Sequence, residues 1–203
     1  MDEGPEEGLS RRWHYKALVG RLVELTGSGA SAALTFAMDV VLQAQCEGEL
    51  VAWVTASSEG SFFPPDAARM GVDLEALPVV RTSGSKAAAM AADRLLRSGA
   101  FGLVVMDLGE RAELTLAMQG RLVKLAQLHG AALVALTSTK RTRPRGQEGG
   151  QTSLGSMVSL RAEVSRQRRG SGHFVAELVV LKDKRSGPSW RHALECHGPA
   201  GLC

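Results

Sequence analysis

Residues 20–46 read GRLVELTGSGASAALTFAMDVVLQAQC, which places a strand, a glycine turn and a helix in direct succession. The apolar run 20–26 predicts a strand, and the turn at 27–31 follows it. From residue 32 the apolar residues recur at helical spacing until Gly48 ends the helix. A strand that leads through a glycine turn into a helix is typical of an α/β domain with a parallel sheet.

The same alternation continues to residue 137. We predict further strands at 50–55, 77–81, 101–106 and 131–137, and helices at 65–70, 85–98 and 111–129. The runs FGLVVM and AALVALT carry almost no polar residues, which is typical of strands buried on both faces. The order predicts an α/β fold with a mostly parallel, twisted sheet, right-handed crossovers and flanking helices. Segment 10–19 fits either a short helix or a strand.

Beyond residue 138 the pattern changes. Segment 139–150 is polar and basic and predicts a flexible loop. A period of two then predicts a C-terminal antiparallel meander that extends one edge of the sheet, with strands at 157–164, 173–182 and 189–196. We therefore expect a single core domain over residues 10–203, preceded by a disordered lead-in at 1–9.

Composition limits the classes of function. The chain has 203 residues, 44% of them hydrophobic and only 4% aromatic, which fits one domain of closely packed helices on a sheet but not a base-stacking platform. A net charge of +3 does not by itself indicate a nucleic-acid partner. There is no long apolar run, so we expect no membrane span and no signal peptide, and the odd count of three cysteines favours a reducing cytoplasm. The three cysteines have no metal-binding spacing, so we assign no metal and no cofactor.

The turn after the first strand stands where a phosphate-binding loop would lie. Such a loop reads G-x-x-x-x-G-K-[ST], with a lysine that neutralises phosphate charge and a hydroxyl that holds Mg²⁺. Here Ala32, Ala33 and Leu34 replace the second glycine, the lysine and the hydroxyl residue, so the chain reads Gly27, Ser28, Gly29, Ala30, Ser31, Ala32, Ala33, Leu34. Taken alone, this window also fits a plain strand–helix turn.

The order of several short runs resembles the ATPase core of the RecA family of bacterial recombinases over about residues 18–198. The runs are ELTG at 24–27, TFAMDVVLQAQCEG at 35–48, RMGVDL at 69–74, LLRSG at 95–99 and VVLKDK at 179–184. The resemblance implies a RecA-like core. Asp107 matches the Walker B aspartate, although the alternative is an aspartate that caps the next helix. The catalytic glutamate position falls on Glu59 or on Ser57, and the sensor glutamine position falls on Ser138.

Further matches concern assembly and DNA. Lys182 and Lys184 match lysines that reach the nucleotide of a neighbouring subunit, or else they are two exposed charges on a hairpin. The family's first DNA loop is reduced to 108–110. The second corresponds to a basic segment that either contacts DNA phosphates or is only solvated, with cations Lys140, Arg141, Arg143 and Arg145. We expect the family's N-terminal polymerisation module and C-terminal domain to be missing.

Within this superfamily, a short chain whose phosphate-binding loop has lost its key residues resembles the ImuA family. ImuA proteins are RecA-related accessory factors of bacterial damage-induced mutagenesis. The resemblance implies a protein without ATPase activity that acts in the SOS response and translesion synthesis. The implied partners are RecA, an ImuB-like inactive polymerase relative and an error-prone replicative-type polymerase. We expect RecA to contact helix 85–98 through Lys86, Arg94 and Arg97. The alternative is a nucleotide-binding or DNA-binding recombination regulator that does not hydrolyse ATP.

Overall fold

A computed structural model of the chain describes residues 12–27, 32–56, 62–109, 112–138, 154–170 and 172–197. The helices in these ranges are α1 (Tyr15–Leu18), α2 (Ala33–Cys46), α3 (Pro64–Arg69), α4 (Ser85–Arg97) and α5 (Leu116–Leu128). The strands are β1 (Leu22–Gly27), β2 (Leu50–Thr55), β3 (Val79–Arg81), β4 (Phe101–Gly109), β5 (Ala132–Ser138), β6 (Leu160–Arg168), β7 (His173–Asp183) and β8 (Arg191–His197).

All eight strands form one sheet in the order β3-β2-β4-β5-β1-β6-β7-β8. The pairings from β3 through β6 are parallel, and β7 and β8 are antiparallel additions at one edge. The predicted α/β class with a C-terminal meander is confirmed. One detail differs, because β6 was predicted only as an antiparallel strand. It is antiparallel to β7 but parallel to β1, so it joins the meander to the parallel part of the sheet.

The sheet carries a hydrophobic core on each face. One core packs α1 and α2 against the sheet, where the rings of Trp13 and Phe36 meet edge to face at 5.8 Å. The other core packs α4 and α5, and α4 buries Ala88, Ala92 and Leu96 at a helical spacing of four. Alanine side chains let α4 approach the sheet closely, which explains why this fold needs so few aromatics.

The structure corrects several sequence boundaries. The ambiguous segment 10–19 contains the short helix α1. Helix α5 begins at Leu116 rather than at 111, because the Thr115 hydroxyl accepts a hydrogen bond from the Met118 N–H and caps the helix there. Met90 is half-exposed on α4. The lead-in at 1–9 and segment 139–150 lie outside the described residues.

None of the helices in the described ranges has the length and apolar character needed to cross a membrane.

Candidate functional site

The carboxyl ends of the central parallel strands meet at one edge of the sheet, which is where α/β folds of this kind bind ligands. Gly27 at the end of β1 lies beside Ser138 at the end of β5, and Thr55 at the end of β2 lies beside Asp107 in β4. The structure therefore brings three of the predicted positions, Gly27, Asp107 and Ser138, to one edge. Other positions fall outside the described residues, namely Ser28, Gly29, Ala30, Ser31, Ser57 and Glu59.

The first turn of α2 is apolar and packed into the core. Ala32 and Ala33 are buried, and Leu34 packs against the same core from a half-buried position. Ala32 is the N-cap residue and makes no side-chain cap hydrogen bond. The three positions where a phosphate-binding loop has its glycine, cation and hydroxyl therefore offer only methyl and isobutyl groups at this edge.

Asp107 lies inside β4 rather than at its end, since the strand runs on to Gly109. Its side chain is buried, and its backbone carbonyl accepts a hydrogen bond of 2.8 Å from the Ala56 N–H. The suggestion that Asp107 caps the next helix is wrong, because Thr115 caps α5. Asp107 lies beside Thr55 of the neighbouring strand β2.

A fully buried carboxylate, Glu24 in β1, organises the neighbouring part of this edge. Its Oε1 accepts hydrogen bonds from Thr137 Oγ1 at 3.2 Å and from the Leu154 N–H at 2.8 Å, and its Oε2 pairs with Arg161 Nε at 2.6 Å. The Arg161 guanidinium also donates to the carbonyls of Leu154 and Gly155. Sequence reasoning missed both charged residues. The available signal was a glutamate in the middle of an otherwise apolar strand.

Lys182 and Lys184 converge on one acceptor close to this carboxylate. Their Nζ atoms donate to the Ser156 carbonyl oxygen at 3.2 and 2.9 Å. Burial lowers the pKa of Lys182, and the charges of Lys184 and Arg161 lower it further, while Glu24 acts in the opposite direction. Lys184 is exposed and Lys182 is half-buried, and both are hydrogen-bonded to the Ser156 carbonyl.

The residues on either side of the basic segment lie beside the Glu24 carboxylate. Thr137, just before the segment, and Leu154, just after it, bind the same Glu24 oxygen. The chain therefore leaves and re-enters the described fold at adjacent points at the carboxyl edge. The four predicted cations lie outside the described residues, and they are Lys140, Arg141, Arg143 and Arg145.

Helix α4 presents its predicted cations on the surface. Lys86, Arg94 and Arg97 are all exposed, and Arg97 pairs with Asp93 at 2.7 Å. Lys86 lines a cleft of about 650 Å³ beside Ala56 and Leu108, near the carboxyl ends of β2 and β4. The helix thus begins at the ligand-binding edge and extends away from it over the sheet.

Comparison with known proteins agrees with this geometry. Residues 17–143, more than half of the chain, match the family model described as the RecA N-terminal domain. Protein RecA of Chlorobium chlorochromatii is 31% identical over 131 residues, covering 59% of this chain and 36% of that protein. Protein RecA of Chlorobium limicola is 37% identical over 123 residues, covering 58% of this chain and 35% of that protein. The chain thus spans about a third of the length of these curated relatives. The matched region contains β1 to β5 and residues 27–34, and the chain belongs to the RecA N-terminal domain family.

Proposed function

We propose that this protein is a non-catalytic RecA-like accessory factor of the bacterial DNA damage response. The observation that supports the proposal is the run Ala32-Ala33-Leu34 at the start of α2. These side chains are buried or half-buried in the core, at the positions where a phosphate-binding loop needs a lysine and a hydroxyl. The lysine and the metal provide much of the charge stabilisation in phosphoryl transfer, and therefore their loss removes the basis for hydrolysis.

The retained fold supports a role in protein binding. Both cores are well packed around the sheet although the loop chemistry is gone. A fold that keeps its packing but lacks the loop chemistry can still present a surface to a protein partner. The proposed role is that of an ImuA-type factor in SOS mutagenesis and translesion synthesis in the cytoplasm. Its proposed partners are RecA, an ImuB-like inactive polymerase relative and an error-prone replicative-type polymerase.

The first test is a phosphate-release assay with ATP and Mg²⁺, with and without DNA. We expect no turnover above background, because neither a lysine nor a hydroxyl stands at positions 33 and 34. A RecA preparation is the positive control, and Asp107→Ala is the matched control for any residual activity. Turnover that disappears in Asp107→Ala would overturn the non-catalytic proposal.

The second test concerns RecA, with α4 as the proposed contact surface. Purified protein is titrated with full-length RecA and with RecA that lacks its N-terminal module, using biolayer interferometry. We expect binding only to full-length RecA, and weaker binding after Lys86→Glu combined with Arg94→Glu. The matched charge reversal Arg69→Glu on α3 should have no effect, because that exposed residue lies on a different helix. Equal binding to both RecA forms, or to neither, would remove RecA as the partner at this surface.

A second candidate is a nucleotide-binding or DNA-binding recombination regulator that does not hydrolyse ATP. It is favoured by three cations at the carboxyl edge: Arg161, which pairs with Glu24, and Lys182 and Lys184, which share the Ser156 carbonyl. Titration with a fluorescent ATP analogue and with labelled single-stranded DNA distinguishes this candidate from the accessory factor. Binding of either probe that is abolished in Lys182→Gln combined with Lys184→Gln would favour the regulator.

A further inference from the structure

The groove between α4 and α5 has an apolar floor and a half-exposed apolar side chain at its centre. Ala89 and Leu122 are buried at its floor, Met118 is half-buried, and Met90 is 51% exposed. Its volume is about 310 Å³. Met90 also lines the larger cleft beside Lys86, so the two clefts meet at this side chain. An unbranched thioether that is left in solvent between two clefts is well suited to contact an apolar side chain of a partner.

The surface around the groove is strongly cationic. Helices α4 and α5 together carry one carboxylate, Asp93, and five exposed cations, which are Lys86, Arg94, Arg97, Arg121 and Lys124. Five positive charges and one negative charge leave a net charge of +4 on this helix pair, compared with +3 for the whole chain. By contrast, α2 on the opposite face carries the single carboxylate Asp39 and no lysine or arginine.

The Asp93 carboxylate forms hydrogen bonds with two arginines at the groove, Arg97 and Arg121. Asp93 Oδ1 accepts a hydrogen bond from Arg121 Nε at 2.5 Å, and Asp93 Oδ2 accepts one from Arg97 at 2.7 Å. Arg121 foremost, and then Arg97, keep the pKa of Asp93 below its ordinary value in spite of its partial burial. Each of these guanidinium groups retains further N–H donors, and Arg94 lines the groove as well.

We propose that this groove binds an acidic amphipathic helical segment of another protein, with an apolar side chain against Met90 and carboxylates on the surrounding arginines. The spacing supports a helix, because Lys86, Met90, Arg94 and Arg97 follow one another on one side of α4 over about 17 Å. About three turns of a partner helix cover that length. An apolar stripe with acidic flanks complements a groove with an apolar floor and a basic surround.

Two other occupants fit the groove less well. A second copy that docks face to face would bring two surfaces of charge +4 together, which opposes association. A nucleic acid would use the cations but would gain nothing from the methyl and thioether groups of the floor. The inference deepens the proposed function, since α4 is also the proposed RecA contact, but the chemistry of the groove specifies the segment whichever protein supplies it.

The test uses the full chain and fluorescence anisotropy with a fluorescein-labelled synthetic peptide of about 16 residues, with Leu at helical spacing on one side and Glu elsewhere. We expect saturable binding that weakens with added salt. Met90→Asp and Arg121→Gln should each weaken it about tenfold, since one removes the apolar contact and the other a charged donor. The matched controls are Leu181→Asp, at 52% exposure, and Arg69→Gln, and neither should change affinity by more than about twofold.

Two control peptides and two further measurements complete the design. One peptide has Ser in place of Leu, the other has Lys in place of Glu, and we expect neither to bind. The inference is wrong if the acidic amphipathic peptide does not bind, if the Ser peptide binds equally well, or if the groove variants and their controls behave alike. It is also wrong if a single-stranded oligonucleotide displaces the peptide, or if Met90→Asp converts a dimer into a monomer in light scattering. Peptide binding that survives while RecA binding fails would remove only the RecA proposal.

Discussion

At the scale of single residues, the ion pair between Arg21 and Asp183 is the most buried in the described ranges. Arg21 Nη2 lies 2.5 Å from Asp183 Oδ1, and the two side chains are 3% and 1% exposed. The Arg185 N–H and Trp190 Nε1 also donate to the same carboxylate, at 2.9 and 3.2 Å. Burial would raise the pKa of Asp183, but these hydrogen bonds and the Arg21 charge together hold it below its ordinary value.

This pKa shift predicts a pH dependence of stability. A carboxyl group whose pKa is lower in the folded protein stabilises the fold above its unfolded pKa of about 3.9, and this contribution disappears as the pH falls through the folded value. We expect the urea midpoint of the wild type to fall steeply below about pH 4. Asp183→Asn should cost about 3 kcal/mol at pH 7, because Arg21 then has no counter-charge, and its midpoint should change less between pH 5 and 3. Identical pH profiles for both proteins would contradict this prediction.

At the scale of elements, Glu24 joins three strands and the turn that follows the basic segment. It lies in β1, binds Thr137 in β5 and Arg161 in β6, and holds the Leu154 N–H. These partners are 113 to 137 residues away in the chain. The contact therefore helps to hold β6 beside β1, where Glu24 and Arg161 are register partners.

Removal of the Glu24 carboxylate should destabilise the whole sheet. Glu24→Ala leaves the half-buried Arg161 charge and the Leu154 N–H without their acceptor, so we expect a decrease of about 3–5 kcal/mol in the free energy of unfolding. The matched control is Glu177→Ala, which breaks a more exposed pair with Arg191 at 3.2 Å and should cost less than about 1 kcal/mol. Urea denaturation followed by circular dichroism measures both. Equal decreases would show that Glu24 contributes no more than a surface pair.

At the scale of the whole molecule, positive charge is concentrated at the carboxyl edge and on the α4–α5 face. The edge carries Arg161, Lys182 and Lys184, and Thr137 and Leu154, which flank the basic segment in the sequence, both bind Glu24 there. The two surfaces are formed by different residues, so their contributions to binding can be separated by substitution. Nucleic acid and protein partners can therefore be assigned to different parts of the molecule by experiment.

If the protein binds DNA, we expect the basic segment 139–150 to raise both the affinity and its dependence on salt concentration. Replacing its four cations by Gln should weaken binding for every sequence, because phosphate contacts carry no base information. The slope of log affinity against log salt concentration should fall by about 0.9 for each duplex phosphate that the protein no longer neutralises. The control replaces four exposed cations elsewhere, namely Lys16, Arg69, Arg166 and Arg191. An unchanged affinity and slope in the first variant would mean that the segment is only solvated.

The sequence by itself determined the features that depend on local pattern. Helical and alternating periodicities predicted the elements from β1 to β5 and the meander, since burial repeats at the period of each element. The absence of loop chemistry at Ala32, Ala33 and Leu34 was also evident from the sequence, because a phosphate-binding loop is contiguous. Boundaries shifted where a cap decided them, as Thr115 did for α5.

Only the tertiary structure decided which distant residues meet. The partnership of Glu24 with Arg161, the convergence of Lys182 and Lys184 on Ser156, and the exposure of Met90 between two clefts are all long-range facts. Periodicity shows that a position faces a core or solvent, but it does not show which strand lies alongside. Strand order and register bring such residues together, and they depend on the packing of the whole sheet.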